Sequence, residues 1–121
     1  MRGRREEHGQ ATVEFAIVLP GLLLVVLLIF QAMVVSHDYL LVMNAAREAA
    51  RAAAVDPTDR DAFDVVMRAI PDARLTVHRN GGVGTPVAAT VRWQAPTALP
   101  IIGPLLPDPW LEATISMRAE R

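Results

Sequence analysis

The chain has 121 residues, 52% of them hydrophobic, and a formal net charge of −1, which leaves room for one small domain beside a hydrophobic segment. A near-neutral charge gives no electrostatic footprint for nucleic acid. With no cysteine, disulfide stapling, thiolate metal sites and thiol nucleophiles are all excluded.

Three arginines, Arg2, Arg4 and Arg5, precede an uncharged run over residues 15–36. At about 22 residues the run exceeds the roughly 20 that a helix needs to cross the hydrocarbon core. A secretory signal has a shorter apolar region and ends in a small-residue cleavage site, and neither feature is present. The run therefore reads as a retained anchor. Basic residues stand before it and none follows until Arg47, so the positive-inside bias puts the N-terminus in the cytoplasm and the rest outside. Pro20 removes one backbone hydrogen bond inside the span, a loss tolerated in lipid when neighbouring groups compensate. Glu14 stands just before the apolar run, where an unpaired carboxylate is costly, and Gly9 lies five residues earlier.

Helical signal continues beyond the span. Residues 38–55 are rich in Ala, Leu, Arg and Glu, all strong helix formers. Tyr39, Met43, Ala46, Ala50 and Ala53 predict an apolar seam, and Asn44, Arg47, Glu48 and Arg51 a solvated side. Asp56-Pro57 ends this helix. A second helix is expected to start there, with Asp56 as cap, Pro57 at its first position, and Asp59 and Asp61 complementing the dipole. Its packing stripe is Phe63, Val66, Met67 and Ile70, and Pro71 closes it.

The period then changes to two. Leu75 and Val77 alternate with Thr76 and His78, residues 80–84 are a glycine-rich turn, and Val87, Ala89, Val91 and Trp93 alternate with polar or small partners. This predicts an antiparallel hairpin with one apolar face. Five prolines over residues 96–109 forbid a persistent strand. Leu99, Ile101, Ile102, Leu105 and Leu106 predict that this loop packs down. A last strand shows Leu111, Ala113, Ile115 and Met117 against Glu112, Thr114, Ser116 and Arg118. Three strands are about the minimum for an independent sheet, and the outer half of the long helix is available to cover the apolar face.

The stretch Gly9-Gln10-Ala11-Thr12-Val13-Glu14-Phe15-Ala16, Pro20 in the span, Ala45-Ala46-Arg47-Glu48-Ala49-Ala50-Arg51-Ala52 beyond it and the closing 111–118 strand resemble the TadE-like pseudopilins of tight-adherence (Flp pilus) systems. The resemblance implies an α+β, type IV pilin-like fold, with a long N-terminal transmembrane helix packed on a short helix and a small three-stranded antiparallel sheet. It implies a cytoplasmic leader over 1–9, a transmembrane half over 10–36 and an extracytoplasmic domain over 37–121. Prepilin peptidase would cut between Gly9 and Gln10, leaving Glu14 fifth and Phe15 sixth in the mature chain. Glu14, Phe15 and Pro20 would serve assembly. The expected partners are the lipid bilayer, other pilins or pseudopilins, the peptidase and a pilus assembly platform, with no nucleic acid, cofactor or small-molecule substrate.

Other features have plainer readings. His37 and Asp38 sit where the helix leaves the bilayer, Tyr39 suits the aromatic belt, and His78 belongs to a polar strand face. Asp59, Asp61 and Asp64 lack the spacing of a calcium loop. Trp93 and Trp110 suit either an interface or the core. No constellation for catalysis appears. The competing function is a permanently anchored bitopic module that binds an envelope or secretion partner; a retained leader and insensitivity to Glu14→Ala would favour it.

Overall fold

A computed structural model describes residues 3–99 and 103–120. In order, the elements are a helix α1 (Gly3–Val55), a helix α2 (Arg60–Ala69), strands β1 (Arg74–Arg79) and β2 (Pro86–Gln94), a 3-10 turn (Gly103–Leu105) and strand β3 (Trp110–Arg118). This is the expected α+β, pilin-like set: a long apolar helix, a short helix and a three-stranded antiparallel sheet. The chain divides into two compact units, Met1–Met33 and Val34–Arg121.

The first unit is helical throughout its described residues. α1 begins at Gly3 rather than near Ala11 and continues through both Gly9 and Pro20. The arginines and glutamates of the leader are good helix formers, which accounts for the earlier start. From Gly9 to Met33 its side chains are exposed on every side apart from the partly covered Leu27 and Gln31. A helix apolar all round has no water-facing side.

In the second unit, β2 lies between β1 and β3, and both pairings are antiparallel. The register aligns Leu75, Val91 and Ala113 in one cross-strand row, and Val77, Ala89 and Ile115 in the next. This face joins Val42, Ala46, Ala49, Ala50 and Ala53 of α1, with Ala62 and Val66 of α2, in one core. The helix side of this core is made almost wholly of alanine, the smallest side chain with a Cβ. The seam is wider than the predicted one: Ala46, Ala50 and Ala53 are buried and Met43 packs against the core as expected, Val42, Ala45 and Ala49 are buried beside them, and Tyr39 is exposed. The core contains residues from the sheet and from α2 as well, and covering by both buries a wider stripe than a four-three seam. Asn44, Arg47, Glu48 and Arg51 are exposed as expected.

The second helix corrects three expectations. It starts at Arg60, not Pro57, because Asp56 folds a local turn: its carboxylate accepts from the Thr58 N–H at 2.9 Å and from the Thr58 hydroxyl at 2.7 Å. Asp59 takes the cap position in a left-handed conformation (φ 60°) with no side-chain capping bond. Aspartate tolerates that conformation better than most residues. The buried stripe is Ala62, Val66 and Ile70, leaving Phe63 and Met67 exposed. The later start turns the helix so that small Ala62 meets the core in place of Phe63.

The proline-rich loop corrects another. Leu99 and Gly103 are buried, but Leu105 and Leu106 face outward; Ile101 and Ile102 lie outside the described residues. The loop is nonetheless tied down. Ala95 N–H donates to Pro109 O at 3.0 Å, Gly103 N–H to Leu99 O at 3.0 Å, and Thr97 N–H to the Asp108 carboxylate at 2.8 Å.

Candidate functional site

The N-terminal segment of α1 holds the expected processing and assembly residues. Gln10 and Glu14 are four apart, so successive helical turns place them on one side. The Gln10 amide donates to Glu14 Oε1 at 3.2 Å. Glu14, Phe15 and Pro20 are all exposed, and Pro20 lies within the helix without ending it. A Cβ placed on Gly9 would meet nothing within 4 Å, and its φ is not in the left-handed region. Neither packing nor backbone geometry within this chain calls for glycine there, yet mid-helix glycine costs about 1 kcal/mol relative to alanine.

α1 is long and apolar enough to cross a membrane, and none of its most apolar window is buried within the protein. Gln31, inside the uncharged run, received no role in the sequence reading. Its amide oxygen is screened from solvent and has no hydrogen-bond partner. Amides at such depth hydrogen-bond between helices in lipid. One amide in an apolar run was the available signal.

The outer domain offers two charged arrangements. Arg79, at the end of β1, donates from Nη2 to the Asp56 carbonyl at 2.9 Å and pairs with the Asp59 carboxylate. This clasp closes the α1–α2 turn onto the sheet and explains why Asp59 makes no capping bond. Sequence alone did not reveal it, because Arg79 is 20 residues from Asp59 and follows an ordinary strand pattern. Asp56 is held below the usual carboxylate range, chiefly by the Thr58 hydroxyl and next by the Thr58 N–H.

On the sheet face opposite the core, Arg92 pairs with Glu112 at 3.3 Å and lies 5.0 Å from the Trp110 ring centre. Thr90 and Thr114 share a hydroxyl–hydroxyl hydrogen bond of 2.8 Å. Trp93 is partly buried against the core, whereas Trp110 is exposed. His78 is exposed on its strand. Among the described residues, no three or more His, Asp or Glu side chains form a group that could hold a metal ion.

Against known proteins, residues 9–51 match the family model described as TadE-like protein. That segment is similar to the TadE-like family, in agreement with the resemblance carried by the Gly9 and Glu14 motif and the alanine-rich stretch. No curated protein and no solved structure matches the chain.

Proposed function

We propose that the chain is a minor pilin-like subunit, a pseudopilin, taking part in assembly of a tight-adherence (Flp) type IV pilus or secretion system. It is inserted once in the cytoplasmic membrane with its N-terminus inside. Residues 1–9 form the leader, 10–36 the transmembrane half, and 37–121 the extracytoplasmic domain, which is carried at the cell surface if the subunit enters a fibre. The observation that carries this reading is Gly9. It costs helix stability, makes no contact and needs no special backbone angle, so its use lies outside the folded chain. A membrane peptidase that seats its target in an extended path gains from a residue with no side chain and a weak helical preference.

Cleavage between Gly9 and Gln10 would create an amine that is largely protonated at neutral pH. Among the described residues, the Glu14 carboxylate accepts from the exposed Gln10 amide, a neutral donor. The new amine of a neighbouring subunit is a charged donor and forms the stronger bond. Pairing would relieve Glu14 of its cost at the membrane rim and fix subunit register. Pro20 and the largely apolar surface of the span would then pack against other pilins, with Phe15 at the start of that contact.

The test is the intact mass of membrane-extracted protein with and without a co-expressed prepilin peptidase. Loss of residues 1–9 only with the peptidase is expected. An intact leader in the native host would overturn processing and favour the permanently anchored binding module. If cleavage occurs, Glu14→Ala should still be cleaved but fail to co-purify with partner pilins.

A further inference from the structure

We infer that a cleft at the Trp110 end of the sheet binds a neutral saccharide, with the Trp110 indole against the sugar ring and Asp72, Arg74 and Gln94 on its hydroxyls. The cleft has a volume of about 430 Å³ and is lined by Asp72, Arg74, Trp93, Gln94, Pro96 and Trp110. It lies wholly within the Val34–Arg121 unit, so the inference stands apart from the membrane reading and adds a ligand to it. Its volume falls in the range of small-molecule sites, roughly 300–1,000 Å³. The chain has two tryptophans, and both are in this lining.

Strand register sets the walls. Gln94 of the central strand lies directly opposite Trp110, and in the next row on that face Arg92 lies opposite both Glu112 and Arg74. Side chains alternate along a strand, so these five share the face away from the core. Trp110 is 52% exposed and yet held in place. Arg92 stands 5.0 Å from its ring centre, and Glu112 pairs with Arg92 at 3.3 Å. A cation thus covers one face of the indole and leaves the other for a ligand. An aromatic fixed in this way has little freedom to lose on binding. Like charges directly opposite on a sheet are destabilising, and Glu112 offsets Arg92 but not Arg74. Among the described residues, the side chains of Asp72 and Arg74 make no hydrogen bond or ion pair, with each other or elsewhere. Gln94 donates to Asp108 O at 3.4 Å, which leaves its amide oxygen able to accept. A carboxylate, a guanidinium and an amide converge on one cleft with bonding capacity to spare.

A saccharide uses all of these groups. Its ring presents C–H bonds on one face and hydroxyls around the edge. The C–H face suits the negative face of an indole. Each hydroxyl both donates and accepts, so Asp72 and the Gln94 oxygen can accept from it while Arg74 donates to it. An apolar ligand would strip water from these polar groups without replacing their bonds, which is costly. A charged ligand of either sign would be repelled by Asp72 or by Arg74. The sugar is held and not hydrolysed, because glycoside hydrolysis takes a pair of carboxyl groups and Asp72 is the one acid in the lining.

Both tryptophans line the cleft, so the intrinsic fluorescence of the chain reports on it. The full chain is kept in dodecylphosphocholine, since a glycosidic detergent would compete. It is titrated with cellotetraose, maltotetraose, mannotetraose and triacetylchitotriose, each up to on the order of 10 mM. A saturable change in emission with at least one of these sugars is expected. Trp110→Ala, in which Trp93 still reports, should weaken that binding about tenfold or more, as loss of an aromatic anchor does. Trp110→Phe should recover most of it, which separates a lost stacking face from a damaged fold. Asp72→Ala and Arg74→Met should each weaken binding several-fold. A response to none of the sugars would overturn the inference. Equal binding by the wild type and Trp110→Ala would put the sugar elsewhere and overturn the cleft. A response to decaproline in place of the sugars would assign the cleft to a polyproline segment and overturn the saccharide.

Discussion

Ala49 is fully buried on the face of α1 that meets the sheet, and it lies off the seam that periodicity suggests, which makes Ala49→Leu a sharp test of the packing. Leucine adds three carbons. If room existed, burying them would stabilise the domain by about 2.5 kcal/mol at ~0.8 kcal/mol per methylene group. If the alanines mark a close approach, overpacking instead costs about 1–3 kcal/mol. The two cases differ in sign. For a domain of this size about 1 kcal/mol moves Tm by roughly 4–8 °C, so a fall of about 5–20 °C is expected. The assay is thermal unfolding of the full chain in detergent, followed by near-ultraviolet dichroism. Trp93, packed against the core, provides the signal. Arg47→Ala, on the exposed face, should move Tm by no more than surface changes do, about 0.5 kcal/mol. A Tm for Ala49→Leu that is unchanged or raised would refute the close approach.

Arg79→Met should lower the urea midpoint by the equivalent of about 1–3 kcal/mol, since it strips charge-assisted bonds from Asp59 and the Asp56 carbonyl at a partly screened site; a loss within error would show that the clasp is idle. Thr58→Val should raise the Asp56 pKa toward the ordinary carboxylate value, read by carboxyl carbon NMR titration. Because the folded value is depressed, Asp56 contributes stability above its unfolded pKa and loses it as pH falls through the folded one, so the variant should show a smaller loss of stability over that acid range. Gly9→Ala should leave the domain melt unchanged and abolish the mass loss caused by the peptidase; continued cleavage would show that the glycine is dispensable.

Patterns of local period were legible. The apolar span, the alanine-rich continuation, the hairpin and the last strand follow from spacing, and Val87, Ala89 and Val91 point inward as their alternation predicts. Judgements that needed tertiary partners failed. Phe63 and Met67 look like a packing stripe, but the Asp56–Thr58 turn delays α2 and rotates small Ala62 inward. Leu105 and Leu106 look like core because composition does not reveal that Leu99 and Gly103 are the buried positions of the loop. Of the candidate site, Gly9 and Glu14 were legible because the motif is local. The Arg79 clasp was not, since its members meet only when the sheet closes on the α1–α2 turn.

The alanine face of α1 also has a consequence in time. Residues 42–54 leave the ribosome well before the sheet that covers them, whose end is anchored only when Ala119 and Glu120 bond to Thr85 and Ala54. At about 5–20 residues per second, the 66 positions from Ala54 to Glu120 take roughly 3–13 s. A leucine-rich face would spend those seconds as a broad adhesive strip. Methyl groups expose little apolar area each, so the small side chains of this face keep the unfinished chain from sticking to its neighbours while it waits.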